Sequence, residues 1–185
     1  MGWCDSEPYE NYHRDLHFVS ERLEKNDLKI DAIWSSGLKR AQNTAEFYAT
    51  YLGFKGYLSS DKLKEINYGK LTFKNKNWVK KHFPNYKVDE KFVYPKGESF
   101  SQMQKRSVQF VNELVTKKSG KNSLLVVHAG VIRAILCHYL NLPYREYADF
   151  KMGHRYIGVL DFKDAKKVEY TELGSPSEFY KKYRR

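Results

Sequence analysis

His128 has a side chain and a position in the sequence that suit anion binding and proton transfer. It ends the apolar run of SLLVVHAGV, and a helical pattern begins directly after it. The first turn of a helix offers unpaired N–H groups and the positive end of the helix dipole, so this position suits an anion. An imidazole there can donate to a phosphate oxygen when it is charged, and it can exchange protons near neutral pH. His128 is therefore a candidate catalytic and phosphate-binding residue.

Arg40 is a second candidate and follows the Ser-Ser-Gly turn of SSGLKRAQNTAEFY. An arginine in the first turns of a helix that starts at a strand end can reach over the same edge of the sheet. Its planar fork can bind two phosphate oxygens at once. This makes Arg40 a candidate phosphate-binding residue, although an arginine in such a position is, taken alone, more simply interpreted as an exposed helix charge.

Glu65 lies in the segment DKLKEINYGK and is a candidate catalytic residue. A carboxyl group near a bound phosphoester can protonate the leaving group or orient water, provided its surroundings favour the protonated form. Taken alone, an acidic loop residue is usually only solvated. A single histidine is also more often structural than catalytic, and we keep that interpretation for His13, His17, His82, His138 and His154.

Apolar periodicity predicts alternating helices and short strands. The predicted helices are Glu10–Lys25, Leu38–Leu52, Lys76–His82, Ser99–Lys118 and Val131–Leu140. The predicted strands are Asp31–Ser35, Gly56–Ser59, Ser123–Val127, Tyr156–Phe162 and Lys167–Leu173. A Lys-Asp-Ala-Lys turn would join the last two strands, and the polar tail from Gly174 is expected to be peripheral. This pattern indicates a three-layer α/β/α domain with a mostly parallel central sheet, whose ligands bind at the carboxyl ends of the strands.

Length and charge narrow the classes of function. The chain has 185 residues, enough for one sizeable core, and we expect residues 1–185 to form a single domain. Its 33 Lys and Arg against 22 Asp and Glu give a net charge of +11, which favours anionic ligands. The basic residues are dispersed, and no zinc-knuckle, helix-turn-helix or aromatic RNA-binding pattern accompanies them. A solvated basic surface is therefore favoured over nucleic-acid binding.

Cysteine usage and hydropathy favour a reducing compartment. The two cysteines, Cys4 and Cys137, make no disulfide framework and no metal-type spacing. The sequence shows no signal peptide and no apolar stretch long enough to span a bilayer. We therefore expect a cytoplasmic protein that has no membrane partner and needs no cofactor or metal ion.

Four segments together carry a resemblance that none carries alone: SSGLKRAQNTA, LKEINYG, GESFSQMQKR and VVHAGVIRAIL, in this order. The chain resembles the histidine phosphatase superfamily, which has the phosphoglycerate mutase-like fold, from Gly2-Trp3 to about Phe162. The resemblance implies that Arg40 binds the phosphoryl group, that Glu65 is the proton donor and that His128 binds and stabilises the phosphoryl group.

The resemblance also exposes a departure at the beginning of the chain. The family starts with a strand that ends in Arg-His-Gly, whose histidine becomes phosphorylated, whereas this sequence begins at a stretch that usually follows it. None of the six histidines is preceded by arginine and followed by glycine. Without that strand, its neighbours would keep unpaired backbone groups. We favour a natural protein with an additional N-terminal segment; the alternatives are a non-catalytic family member and a rearranged, oligomeric form that completes the pocket in trans.

The resemblance implies a phosphatase, because this chain is too compact for the insertion that family mutases carry around the site. The expected substrate is a small phosphorylated metabolite, such as α-ribazole phosphate, a sugar phosphate or a nucleotide. Lys70–Phe73 replaces an acidic-aromatic step common in family phosphatases, so contacts with the leaving group are expected to differ. Aromatic residues between Trp78 and Tyr94 are expected to cover the pocket. The rival hypothesis is a binding or interaction module that retains the fold.

Overall fold

The computed structural model describes residues 2–117, 120–149, 152–163 and 167–173. In this part of the chain the α-helices are α1 (Tyr12–Lys25), α2 (Lys39–Tyr51), α3 (Lys76–His82), α4 (Phe100–Lys117), α5 (Ala129–Tyr139) and α6 (Tyr144–Asp149). The strands are β1 (Ala32–Ser36), β2 (Leu58–Ser60), β3 (Ser123–Val126), β4 (Gly158–Phe162) and β5 (Val168–Glu172). The periodicity predicted every one of these elements except α6. The predicted Lys-Asp-Ala-Lys turn lies largely, and the tail from Gly174 entirely, outside the described residues.

A three-stranded parallel sheet forms the centre of the fold, in the order β2-β1-β3. Trp34 of β1 pairs with Leu58 of β2 and with Leu125 of β3. Since all three strands run in the same direction, their carboxyl ends meet at one edge of the sheet. Ser36 ends β1 at that edge, and His128 lies two residues after the end of β3, as the sequence predicted.

Helices cover both faces of this sheet and produce the expected three layers. Alternate residues of β3 point to opposite faces. Leu125 and Val127 contact the cluster formed chiefly by α4 and α5, whose buried members include Met103, Phe110, Val131, Ala134 and Ile135. Leu124 and Val126 face the other cluster, formed by α1 and α2, whose buried members include Leu16, Leu23, Ala41, Ala45 and Tyr48.

The β4–β5 pair forms a separate antiparallel sheet beside the parallel one. Leu160 and Phe162 of β4 pack against the α4–α5 cluster, while Ile157 and Leu173 belong with the α1–α2 cluster. The hairpin and the residues flanking it thus contribute side chains to both hydrophobic clusters. Among the described residues, however, β3 pairs only with β1 and β4 only with β5. Each therefore has one edge without a ladder partner among the described residues, as do β2 and β5.

The two ends of residues 70–96, here named the cap segment, lie next to each other. The Lys70 amide donates to the Pro95 carbonyl at 2.8 Å, and the Glu98 amide donates to the Asn67 carbonyl at 3.0 Å. Gly69 has a φ of +50°, and a Cβ there would collide with the Pro95 carbonyl oxygen, so the close approach of the two stems requires glycine. Both ends of the cap segment therefore lie next to the loop that carries Glu65.

No helix among the described residues is long and apolar enough to cross a membrane.

Candidate active site

Ser36 and His128 meet at the carboxyl edge of the parallel sheet. The Ser36 Oγ lies 2.6 Å from the His128 Nε2, and both side chains are buried. The Ser36 oxygen also accepts the Leu38 N–H at 3.2 Å. A neutral ring that carries its proton on Nδ1 can therefore accept a hydrogen bond from the Ser36 hydroxyl at Nε2. The sequence had placed Ser36 at this edge but had assigned it no role.

His128 is held neutral by its surroundings. Burial, followed by the positive charges of Arg40 and Arg106, lowers the pKa of His128 to about 3. The ring in this structure is thus a neutral hydrogen-bonding group, and it becomes a cation only if an arriving anion stabilises the added proton. The expectation that His128 donates as a charged imidazole therefore depends on the bound ligand.

Arg40 lies in the first turn of α2, directly after Ser36 and Leu38, as the sequence predicted. Its Nη1 donates to the Cys4 carbonyl at 2.6 Å and its Nη2 donates to the Gly2 carbonyl at 2.8 Å. Its fork thus binds two main-chain oxygens of the N-terminal stretch. The same geometry suits two oxygens of a phosphoryl group. Sequence reasoning did not foresee these main-chain partners.

Glu65 reaches the first turn of α5, immediately after His128. Its Oε1 accepts the Ile66 N–H at 2.9 Å, and its Oε2 accepts the Gly130 N–H at 3.1 Å. A Cβ on Gly130 would collide with the Glu65 carboxylate, so glycine is required for this approach. The sequence predicted an anion at this helix N-terminus, and in this structure the Glu65 carboxylate occupies the position.

The N-terminal stretch Gly2–Asp5 connects Arg40 with Glu65. Besides the two carbonyls bound by Arg40, it carries Trp3, whose Nε1 donates to the Glu65 carbonyl at 2.5 Å. The Lys64 ammonium lies 5.1 Å from the centroid of the Trp3 ring. The predicted site residues are therefore brought together: Arg40 and Glu65 share a bound segment, and Glu65 and His128 share the start of α5.

Other possible ligand sites are distinct from this one. A groove of about 570 Å³ follows α4 from Ser101 to Lys117 and includes His138. It contains none of Arg40, Glu65 and His128. Within the described part of the chain, no cluster of three or more His, Cys, Asp or Glu side chains could hold a metal ion.

Substitution of Ser36 by alanine should lower the free energy of unfolding by about 1–3 kcal/mol, because it leaves the buried His128 Nε2 and the Leu38 N–H without this partner. Urea unfolding at pH 7 measures the effect. Ser35→Ala is the matched control, because Ser35 is equally buried but donates only to the Ser36 carbonyl, at 3.0 Å. Equal losses in the two variants would contradict a special role for the Ser36–His128 contact.

Comparison with known proteins supports the same assignment of segments. Residues 2–171 match the sequence profile of the histidine phosphatase superfamily (branch 1). A metal-independent phosphoserine phosphatase from Arabidopsis thaliana is 29% identical over 154 residues, which cover 80% of this chain and 63% of the relative. A phosphoglycerate mutase from Schizosaccharomyces pombe is 25% identical over 144 residues, which cover 73% of this chain and 68% of the relative. The chain thus spans less than two thirds of the length of the plant relative.

Solved structures share the fold at low sequence identity. The α-ribazole phosphatase from Shigella flexneri superposes with a TM-score of 0.78 at 19% identity, covering 94% of this chain and 87% of that one. A mycobacterial glucosyl-3-phosphoglycerate phosphatase gives a TM-score of 0.74 at 21% identity, covering 93% and 88%. The profile match includes the segments of Arg40, Glu65 and His128 and nearly all the described elements, so this chain belongs to the histidine phosphatase superfamily.

Proposed function

We propose that this chain is the phosphoryl-binding and proton-donating part of a phosphomonoester hydrolase of the phosphohistidine type. The observation that carries the proposal is the convergence of Arg40, Glu65 and His128 at one edge of the parallel sheet, within segments that match the family. An arginine fork, a hydrogen-bonding imidazole and a carboxyl group are the set that phosphoester cleavage needs around the phosphorus and the leaving oxygen.

The proposed reaction runs in two steps around this site. An acceptor histidine attacks phosphorus, the ester P–O bond breaks, and protonated Glu65 gives its proton to the leaving alcohol. Water then attacks the phosphohistidine and releases inorganic phosphate. Arg40 and His128 bind the equatorial oxygens on which negative charge resides in the transition state. Since the 185 residues contain no Arg-His-Gly, the acceptor is proposed to be a histidine in an additional segment that carries this motif.

The proposed substrate is a small phosphorylated metabolite. The similar phosphatases are named for their action on a ribazole phosphate, a glucosyl phosphoglycerate and phosphoserine. This range supports α-ribazole phosphate, a sugar phosphate or a nucleotide as candidates. We also propose that residues 1–185 form a single domain located in the cytoplasm, with no cofactor, metal or nucleic-acid partner.

A second candidate is a non-catalytic module that binds phosphorylated ligands. It is favoured by the main-chain carbonyls of Gly2 and Cys4, which occupy the fork of Arg40 in this structure. Binding of inorganic phosphate is measured on the 185-residue chain, and hydrolysis of p-nitrophenyl phosphate on a chain that includes an Arg-His-Gly segment. Turnover by that longer chain supports the enzyme, phosphate binding with no turnover by the longer chain supports the module, and the absence of both contradicts each of them.

Glu65→Gln is expected to lower p-nitrophenyl phosphate hydrolysis about 10²- to 10⁴-fold, because the amide has no proton to give to the leaving oxygen. The measurement uses whichever form of the protein turns over, the 185-residue chain or a chain that includes an Arg-His-Gly segment. Affinity for inorganic phosphate should not fall, since the substitution removes a negative charge from the site. Glu46→Gln, an exposed change on α2, is the control. Full activity in Glu65→Gln would exclude Glu65 as the proton donor.

A further inference from the structure

Glu98 and Arg106 form an ion pair that joins α4 to the loop carrying Glu65. The Arg106 Nε donates to the Glu98 Oε2 at 2.9 Å, and the Arg106 Nη2 donates to the Glu98 Oε1 at 2.7 Å. The same guanidinium donates to two main-chain carbonyls, from Nη1 to Lys62 at 2.8 Å and from Nη2 to Glu65 at 3.0 Å. One side chain of a long helix thus binds both the beginning of this loop and Glu65 itself.

Glu98 continues the connection beyond Glu65. Its Oε1 accepts the Asn67 N–H at 2.8 Å, and its own N–H donates to the Asn67 carbonyl. The loop from Lys62 to Asn67 is therefore held at three main-chain positions by one ion pair. The side chains of Arg106 and Glu98 are only 20% and 15% exposed. Charge-assisted bonds that are shielded from water hold their geometry better than exposed pairs.

This arrangement determines where the Glu65 carboxylate points. The Glu65 carbonyl is bound on one side by Arg106, while the carboxylate of the same residue reaches the Gly130 N–H on α5. Because the main chain of Glu65 is held in place, its Cα has a fixed position from which the side chain reaches the start of α5. Arg106 is also close enough to His128 for its charge to contribute to the lowered pKa of that ring.

We propose that Arg106 and Glu98 are positioning residues for the proton donor, an inference that rests on the function proposed above for Glu65. They hold the loop so that the Glu65 carboxyl group stays at the Gly130 N–H at the start of α5, and in this proposal they touch neither the phosphoryl group nor the leaving group. The planar fork is essential to this role, since an ammonium cannot bind one carboxylate at two points and two carbonyls at the same time. A lysine at position 106 should therefore fail to replace the arginine.

The amide of Gly130 provides a direct readout of this positioning. The first amides of a helix have no partner within it, so in the wild-type chain the bond to the Glu65 carboxylate should slow hydrogen exchange of the Gly130 amide at constant neutral pH. In Arg106→Lys and in Glu98→Gln, we expect this amide to exchange about tenfold faster or more, because the carboxylate no longer reaches Gly130 in a fixed geometry. The amide of Ala45, in the α1–α2 cluster on the opposite face of the sheet, reports whether the fold is intact.

Lys105→Gln is the matched control, because it removes a positive charge from the exposed neighbouring position of α4. An unchanged exchange rate of the Gly130 amide in both folded variants would overturn the proposal. If Arg106→Lys fails to fold, Glu98→Gln decides alone, since glutamine keeps the shape of the side chain. This experiment measures neither turnover nor phosphate binding. The positioning role can therefore be wrong while the proposed function is correct, and the proposed function can be wrong while the positioning role is correct.

Kinetics provide a second readout in any form of the protein that turns over. Arg106→Lys should lower kcat about tenfold or more and leave KM within about threefold, because a misplaced proton donor affects the transition state more than substrate binding. A rise in KM with unchanged kcat would contradict a positioning role, as it would indicate that Arg106 contacts the substrate.

Discussion

Arg40→Ala is expected to weaken the binding of inorganic phosphate about 10- to 100-fold, the largest effect of any single substitution on phosphate binding. Charge-assisted hydrogen bonds contribute about 1.5–3 kcal/mol each, and about 1.4 kcal/mol corresponds to a factor of ten in affinity. In this structure the guanidinium binds the carbonyl oxygens of Gly2 and Cys4, which two phosphate oxygens must replace, so the expected net loss corresponds to about one such bond. Isothermal titration calorimetry with inorganic phosphate measures the loss.

Two further variants separate the fork from the charge. Arg14→Ala removes the same charge from an exposed position of α1 and should leave phosphate binding nearly unchanged. Arg40→Lys keeps the charge but loses the two-point geometry, and it should fall between the wild type and Arg40→Ala. If Arg40→Ala binds phosphate as tightly as Arg14→Ala does, the fork is only a structural tie to the N-terminal stretch.

The second large effect is a loss of stability in acid that depends on His128. The folded chain holds the pKa of His128 near 3, whereas the ordinary value is 6.5. Below pH 6.5 the unfolded chain therefore binds a proton that the folded chain does not, and the stabilisation present above pH 6.5 is lost as the pH falls toward 3. The slope approaches about 1.4 kcal/mol per pH unit, which amounts to about 2–3 kcal/mol between pH 6 and pH 4.

Urea unfolding at pH 6 and pH 4 measures this dependence, and His128→Asn is the variant that should lack it. Other groups add to acid unfolding at lower pH. The hydrogen bond from Tyr9 and the contact with Arg155 lower the pKa of Asp15, but this contribution is lost only below about 3.8, the ordinary value of that carboxyl group. A pH dependence in His128→Asn as steep as in the wild type would show that the buried ring is not its source.

Local patterns in the sequence predicted most of the fold. The sequence predicts a helix around Lys76–His82, ahead of Pro84, and α3 has these limits, while the limits of the other predicted helices and strands agree within two residues. These elements have a clear apolar face or a short buried run, and such signals depend only on neighbouring residues. The helix α6 was missed because Tyr144–Asp149 is only six residues long and has no such repeat.

The arrangement of the site was harder to predict because it depends on pairs of distant residues. The family motifs identified Arg40, Glu65 and His128, but no local pattern shows that Arg40 binds the carbonyls of Gly2 and Cys4. The Glu98–Arg106 pair lies within a motif that sequence reasoning had noted, yet its contacts with the Glu65 loop span 41 residues. Hydrogen bonds to main-chain carbonyls leave no signature in residue types, so only the folded geometry shows them.

The division into two sheets has a consequence for the order of folding. The β4–β5 hairpin joins residues close in the sequence, such as Tyr156 and Tyr170, which are 14 positions apart, and hairpins of this kind form within about 1–10 μs. The parallel sheet must instead bring together segments separated by α2, the cap segment and α4, and the Ser36–His128 contact spans 92 positions. Closing so long a loop is entropically costly and slow. We therefore expect the site of Arg40, Glu65 and His128 to assemble late, after the hairpin and the helices have gained their local structure.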